Sequence, residues 1–136
     1  MSSYRHKART IALQVLYEVD SAARPADSVV ERLLSETDLN EETAAFVREL
    51  VAGAIGNKDK IDRSIKKYAP AWPLEQIAMI DRNILRLAIF EILFDNKVPV
   101  KVAVSEAVEL AKTFGSESSP KFVNGVLGSV SALTSR

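Results

Sequence analysis

Apolar residues recur with helical spacing along nearly the whole 136-residue chain. In the first segment they follow the three- and four-residue steps of one helix face, at Ala8, Ile11, Ala12, Val15, Leu16 and Val19. The same period returns in six later segments, which are separated by prolines, glycines or asparagines. No segment shows the sustained alternation that is typical of a β-strand. The pattern therefore predicts an all-α protein of about seven helices.

Residues that favour helix ends place several of the boundaries. Pro25 can open the second helix, and Asn40 is predicted to be the N-cap of the third. Gly115 is placed to end the sixth helix in the left-handed conformation. Ser119 and Pro120 then predict the N-cap and first residue of the seventh helix.

The segment Pro70–Pro73 is the strongest break in the pattern, because two prolines cannot occupy a helix interior. It predicts one domain, residues 1–136, made of two packed helical bundles that span roughly 1–69 and 73–136. Trp72 is expected to be a core anchor where the bundles meet. The long helix after Pro73 has a wide apolar stripe, so we expect it to be the most buried helix.

Composition favours a soluble, cytoplasmic protein. The formal net charge is 0. Cysteine is absent, which excludes a disulfide scaffold, a thiolate metal site and a cysteine nucleophile. No apolar run approaches the roughly 18 residues that span a bilayer. The basic residues near the N-terminus are not followed by the apolar segment of a secretory signal.

Catalytic chemistry finds little support in the sequence. His6 is the single histidine and lacks the partners that a metal site or a general base would need. Glu106 and Glu109 share one helix face, which we expect to be solvated, because a helical metal site would also require histidines. Phosphate-binding glycine loops and a nucleophile elbow are absent as well. We expect no enzyme activity, no cofactor and no metal.

Cations near the N-terminus form the first candidate binding patch. Arg5, His6, Lys7 and Arg9 precede the first acidic residue, Glu18. A separate polar stripe on the same helix would carry Lys7, Thr10, Gln14 and Tyr17. Cations neutralise phosphates and an exposed tyrosine stacks on an unpaired base, so the patch suits single-stranded RNA. The alternative is a solvated first turn.

The segment Phe114–Asn124 is the second candidate patch. Lys121, Phe122 and Asn124 of the last helix lie off its apolar stripe. Phe122 either stacks on a base or fills the groove between the helix and the preceding loop. Gly125 and Gly128 are unfavourable within a helix, which suggests close approach of another helix or of a ligand backbone.

A third candidate lies on the polar side of the helix after Pro73. Asp81, Arg82, Asn83 and Arg86 give it a mixed-charge surface beside apolar neighbours. Such a surface either binds a protein partner or is satisfied by ion pairs within the chain.

Two blocks near the C-terminus resemble the NusB family of bacterial transcription antitermination factors. Val104–Gly115 contains Glu-Ala-Val-Glu-Leu-Ala-Lys, and Lys121–Leu127 reads Lys-Phe-Val-Asn-Gly-Val-Leu. Ala12–Tyr17, Asp81–Ala88 and Val98-Pro99 agree with the family in place and order. The resemblance therefore covers essentially the whole chain.

The resemblance implies a fold of two helical bundles and an RNA-binding adaptor function. Family members pair with NusE, a small-subunit ribosomal protein, and bind the single-stranded boxA element of nascent rRNA leaders. This complex acts on elongating RNA polymerase. The RNA-binding residues expected here are Arg5, His6, Lys7, Arg9, Gln14, Tyr17, Ser118, Lys121, Phe122 and Asn124. The residues expected to face NusE are Ile77, Asp81, Arg82 and Ile84. A monomer and a homodimer that masks the RNA face stay open.

Some positions depart from the family pattern. Ser105 replaces a frequent Asn, Gly128 a frequent Asp, and Ser118 an acidic residue of some members. These differences bear on RNA affinity and sequence preference more than on fold or partner. The runner-up interpretation is the NusB-like domain fused to RNA cytosine methyltransferases, which would need a methyl-donor domain that these residues do not contain.

Overall fold

The computed structural model describes residues 3–95 and 97–134, and within these ranges the chain is helical and without strands. Its α-helices are α1 (Ser3–Ala22), α2 (Ala26–Ser35), α3 (Glu41–Gly56), α4 (Lys58–Tyr68), α5 (Met79–Ile89), α6 (Val100–Phe114) and α7 (Ser119–Ser131). The all-α prediction and the number of helices are confirmed. In the same part of the chain, no helix combines the length and apolar character needed to cross a membrane.

Local sequence signals explain where several helices begin. Pro25 is the N-cap of α2 and has an extended backbone. The Oδ1 atom of Asn40 accepts a hydrogen bond from the backbone N–H of Thr43 at 2.8 Å, which satisfies one free donor of the first turn of α3. The prediction of Asn40 as an N-cap is therefore confirmed.

The long helix predicted after Pro73 is divided into three parts. A short 3₁₀ helix, Leu74–Gln76, precedes α5, and α5 continues into a π-helical segment, Phe90–Asp95. Residues 83–92 are all buried, as expected for the most buried helix. The π-helical segment positions two side chains: the Phe90 ring occupies the space beside Gly53 of α3, and Glu91 turns into the interior.

One hydrophobic core runs through both halves of the chain. The central helix α5 packs against α1, α3, α6 and α7. Helix α4 also contacts both α3 and α7. A continuous core is what a single domain requires, while its division into two sub-bundles stays a prediction.

The turn between α6 and α7 differs from the expected one. Gly115 has an extended backbone, with φ −94° and ψ −169°, so the left-handed prediction is wrong. A β-carbon there would lie 2.5 Å from Cβ of Ser119 and 2.8 Å from the carbonyl oxygen of Ala111, so glycine is needed for close approach. The N-cap of α7 is Ser118, one residue earlier than predicted, and Pro120 lies in the first turn.

One further expectation about packing is wrong, and for Gly125 and Gly128 the first of two alternatives, close approach of another helix, is excluded in the described structure. Trp72 is 53% exposed, because a turn closed by its backbone N–H and the carbonyl of Ala69 leaves the indole outside the core. A β-carbon at Gly125 or Gly128 would meet nothing within 4 Å, so no neighbouring helix of the described structure approaches them closely.

An ion-pair network on α5 joins it to α1 and α4. Asp20 accepts hydrogen bonds from Arg82 at 2.8 and 3.0 Å, from Asn83 at 2.9 Å and from Arg86 at 3.0 Å. Arg86 also donates to Asp62 of α4 at 2.9 and 3.2 Å. Intramolecular pairing therefore accounts for most of the mixed-charge surface on α5. Burial alone would raise the pKa of Asp20, but these hydrogen bonds and the positive charges lower it to about 2.

We expect Asp20→Asn to reduce stability at neutral pH by about 1–2 kcal/mol, a value discounted for the partial solvent exposure of the site. Because the pKa of Asp20 falls from 3.8 to about 2 on folding, its stabilisation is complete above pH 3.8. That stabilisation is lost as the pH falls through 2, so the difference between wild type and variant should shrink there. Urea unfolding of both proteins between pH 7 and 2 measures it.

The exposed Asp38→Asn variant is the control, with an expected change below about 0.5 kcal/mol at every pH. A wild-type-minus-Asp20→Asn difference that stays constant down to pH 2 would contradict the assigned pairing.

Candidate nucleic-acid interface

The polar stripe predicted on α1 is present on the surface. Lys7, Gln14 and Tyr17 are exposed, and Thr10 is half-buried. The stripe arises because the opposite face of α1 packs into the core through its regularly spaced apolar residues.

A groove runs from this stripe towards the start of α5 and the end of α6. We call it the tyrosine groove, and its volume is about 830 Å³. Its lining comprises Leu13, Gln14, Tyr17, Glu18, Ser21, Leu33, Ala78, Met79, Ile80 and Phe114. The rings of Tyr17 and Phe114 are 42% and 41% exposed, so each offers an aromatic surface to solvent.

A second, smaller depression adjoins the tyrosine groove. This tryptophan pocket, with a volume of about 250 Å³, is lined by Trp72, Gln76, Ile77, Ala78, Asp81, Ser118 and Phe122. Ala78 belongs to both linings, so the two depressions are neighbours. The fold thereby places predicted RNA-binding residues from α1 beside those from α7, on one face of the molecule.

The first turns of α1 present their cations in different ways. The guanidinium of Arg5 lies 5.3 Å from the centroid of the Phe46 ring, a cation–π contact that leaves its charge unpaired in the described structure. Lys7 is exposed. Nδ1 of His6 lies 3.0 Å from Oε1 of Glu106, so this ring is tied to α6. Arg5 and Lys7 therefore carry the positive charge available at this end.

Arg9 does not belong to that accessible patch. It is 1% exposed and donates two hydrogen bonds of 2.8 Å to Glu91. Its Nη1 atom lies 3.7 Å from Oε1 of Glu106. Burial alone would lower the pKa of Arg9, but the bonds and charge of Glu91, with the charges of Glu106 and Asp95, raise it. The expectation that Arg9 contacts RNA is corrected, because its side chain is buried and its charge is paired with Glu91 in the interior.

The same network corrects the interpretation of Glu106 and Glu109 as one solvated face. Glu106 is 7% exposed and contacts His6 and Arg9, whereas Glu109 is exposed beside Lys112. The two carboxylates are three residues apart on α6, but only Glu106 lies on the side of the helix that packs against the rest of the protein.

The C-terminal candidates fall into two places. Ser118 and Phe122 line the tryptophan pocket, and Lys121 is exposed next to them. Phe122 is half-buried and packs against the core, so it has both a structural contact and a surface open to the pocket. Asn124 instead lines a separate groove of about 460 Å³ between α6 and α7.

The residues expected to face NusE differ in accessibility. Ile77 and Asp81 line the tryptophan pocket, and Oδ1 of Asp81 is buried without a hydrogen-bond partner in the described structure. Arg82 is held by Asp20. Ile84 is 0% exposed and lies in the core, so its expected contact with a partner is corrected.

Two further aromatic residues of this face are exposed. Phe114 begins the segment predicted as the second binding candidate and also continues the apolar period of α6, whereas Trp72, between its prolines, was expected in the core. Phe114 is the last residue of its helix and Trp72 lies in a turn. An aromatic residue at the end of an element, next to turn residues, is the signal that could have found them.

Fold and surface together define a helical binding module with an aromatic groove, and with cations on the first turns of α1, one of the helices that line it. Residues 6–132 match the model of the NusB family, and the chain belongs to that family. Transcription antitermination protein NusB of Dehalococcoides mccartyi strain 195 is 55% identical over 131 residues, which are 96% of this chain and 92% of that protein. NusB of Chloroflexus aggregans is 46% identical over 132 residues, covering 96% and 88% of the two chains.

Solved structures agree with this assignment. A structure of T. maritima NusB has a TM-score of 0.91 and 31% identity, and the match covers 100% of this chain and 96% of that one. A second structure contains antitermination factors NusB and NusE in complex with double-stranded RNA. It has a TM-score of 0.91 and 27% identity, and the match covers 98% and 100% of the chains.

Proposed function

We propose that this protein is a cytoplasmic transcription antitermination factor that binds boxA RNA of nascent rRNA leaders together with NusE. The observation that carries the proposal is the shared face of the tyrosine groove and the tryptophan pocket. It brings the candidates Gln14 and Tyr17 of α1 next to Ser118 and Phe122, which are distant in sequence. Membership of the NusB family supports it, as does the related structure of NusB and NusE with RNA.

The groove suits a single strand with unstacked bases. Arg5 and Lys7 neutralise phosphates at the start of α1, and Tyr17 and Phe114 stack on bases further along. Ser118, Lys121 and Phe122 continue this surface around the tryptophan pocket. Gln14, which lines the tyrosine groove, donates to or accepts from a base edge.

NusE binds next to the RNA, at the tryptophan pocket. Asp81 offers a buried carboxylate oxygen that has no partner in the described structure, and such a group is costly unless a donor reaches it. A hydrogen-bond donor or cation of NusE supplies that partner, and Ile77 supplies apolar contact. Because the RNA then touches two adjoining proteins, the pair binds it more tightly than this chain alone.

Fluorescence anisotropy of a labelled boxA-like RNA tests the function. The RNA is titrated with the protein, with and without NusE, beside a scrambled RNA of equal length. Tighter binding of the boxA-like RNA, strengthened by NusE, is expected. Equal binding of both RNAs in the presence of NusE would leave the family fold standing and refute the RNA-recognition function.

The variant Arg5→Gln/Lys7→Gln should bind the same RNA with a weaker dependence on salt. Each lost phosphate contact lowers the slope of log K against log salt by about 0.7 for single strands, so the slope should fall by roughly 1.4. Arg48→Gln/Lys101→Gln removes two exposed charges from α3 and α6 and is the matched control. An unchanged slope in the first variant would refute the assignment of Arg5 and Lys7.

A further inference from the structure

Helix α4 carries a concentration of positive charge that the proposed groove does not use. Its cations, which we call the α4 basic face, are all exposed and comprise Lys58, Lys60, Arg63, Lys66 and Lys67. The chain as a whole has a formal net charge of 0, so this concentration is local.

The cations of the α4 basic face are not neutralised by neighbouring carboxylates. Within the described residues, none of the five takes part in an ion pair. Of the two acidic residues on α4, Asp62 is bound by Arg86, which leaves only Asp59 among the cations. Lys66 and Lys67 lie in the last turn of α4, where the helix dipole stabilises positive charge. The dipole gives no such reason for the positive charges of Lys58, Lys60 and Arg63.

Helical spacing aligns part of this face into a row. Lys60, Arg63 and Lys67 are separated by three and four residues, so they lie on one side of α4. At a rise of 1.5 Å per residue the row is about 10 Å long. The opposite side of the helix packs inward through Ile61 and Ile65, which are 0% exposed, so the row faces solvent.

The row leads towards the proposed RNA surface. Helix α4 ends at Tyr68, and after a tight turn the chain reaches Trp72, which lines the tryptophan pocket. Helix α4 also packs against α7 and against the 3₁₀ helix Leu74–Gln76, which both contribute to that pocket. Because α4 packs against α7, RNA that contacts Lys121 on α7 lies near the helix that carries the α4 basic face.

We propose that the α4 basic face binds the sugar–phosphate backbone of RNA outside the segment held in the tyrosine groove. The inference rests on the proposed RNA-binding function and extends its site. Cations without base-reading partners attract phosphate regardless of sequence, so this contact adds affinity and salt dependence but no sequence preference.

RNAs of two lengths test the proposal, with the full chain and NusE present. The short RNA is the boxA-like element, and two longer RNAs carry about eight extra uridines on the 5′ or the 3′ side, within the length that one single-strand-binding domain covers. We expect one longer RNA to bind wild type about tenfold more tightly at low salt. Lys60→Gln/Arg63→Gln/Lys67→Gln should lose that gain while binding the short RNA as wild type does.

A variant of equal charge is the control. Arg48→Gln/Lys101→Gln/Lys112→Gln also removes three exposed positive charges, from α3 and α6, and should keep the gain. Glutamine has a helix propensity close to that of lysine and arginine, so circular dichroism and thermal unfolding should be unchanged in both variants. Lys60→Arg/Lys67→Arg, which retains the charge, should bind the longer RNA like wild type.

Three results would overturn the inference while leaving the proposed function intact. They are no gain from either extension, an equal loss in the control variant, and an equal loss on short and long RNA in the α4 variant. Failure of wild type to bind any of the RNAs would instead refute the proposed function itself, and this inference with it.

Discussion

Replacing Arg9 by methionine should lower the free energy of unfolding by about 3–5 kcal/mol, because it removes the guanidinium that bonds the buried Glu91 and lies beside Glu106. Glu91 is 2% exposed and Glu106 is 7% exposed, so water cannot replace the guanidinium at either one. The free energy of unfolding of a small domain is about 5–15 kcal/mol, so the loss is a large fraction of it. Urea unfolding at neutral pH measures the change.

A second substitution tests the cause of that loss. When both members of a buried ion pair are replaced by apolar residues of similar size, stability is often nearly unchanged. Arg9→Met/Glu91→Met should therefore be more stable than Arg9→Met alone, although it has lost one more native side chain. Arg9→Lys keeps the charge but not the paired bonds to Glu91, so it should lie between wild type and Arg9→Met.

The control for the Arg9 variants is Lys7→Met, an exposed position two residues earlier in α1. It should change stability by less than about 0.5 kcal/mol. An Arg9→Met variant as stable as wild type would show that the guanidinium is not needed inside the protein. Arg9 could then return to the set of RNA-binding candidates.

Local sequence patterns predict much of the fold. Apolar residues spaced for one helix face predict α1, and Asn40 predicts the start of α3, because both effects depend on neighbouring residues alone. The π-helical segment after Ile89 could not be predicted in this way. Residues 83–92 are all buried, and the polar positions Asn83 and Arg86 are followed by four apolar residues, so no polar stripe continues into this segment to reveal a change in helical repeat.

The candidate site was predictable only where exposure follows from helical period. Lys7, Gln14 and Tyr17 lie opposite the apolar face of α1, and the structure has all three exposed. Arg9 was misassigned because its partner, Glu91, is 82 residues away in the sequence. A local signal did exist, since Arg9 is in register with the buried Leu13 and Leu16 at four and seven residues.

Trp72 shows the opposite error. Its apolar type predicts a core position, although two prolines turn the chain there. Phe114 likewise fits the apolar stripe of α6 but is exposed, because α6 ends at this residue. Which aromatic residues remain in solvent depends on how far neighbouring elements extend over them. That is a property of tertiary packing, and no local pattern contains it.

The pair of exposed rings in the tyrosine groove carries the second large effect. Tyr17→Ala and Phe114→Ala should each weaken binding of the boxA-like RNA by about 1–3 kcal/mol, since each removes a surface on which a base stacks. That corresponds to roughly 5- to 150-fold in Kd for each ring. The double variant should bind more weakly than either single variant, as measured by anisotropy with NusE present.

Stacking and general apolar contact are separated by two further variants. Tyr17→Phe keeps the ring and should retain most of the affinity if the base stacks on its face. Phe94→Ala removes a ring of similar exposure, 38%, that lines neither the tyrosine groove nor the tryptophan pocket, and it should leave RNA binding unchanged. All these side chains are substantially exposed, so unfolding should be little affected. Full affinity in the double variant, or an equal loss in Phe94→Ala, would mean that RNA does not follow the groove between α1 and α6.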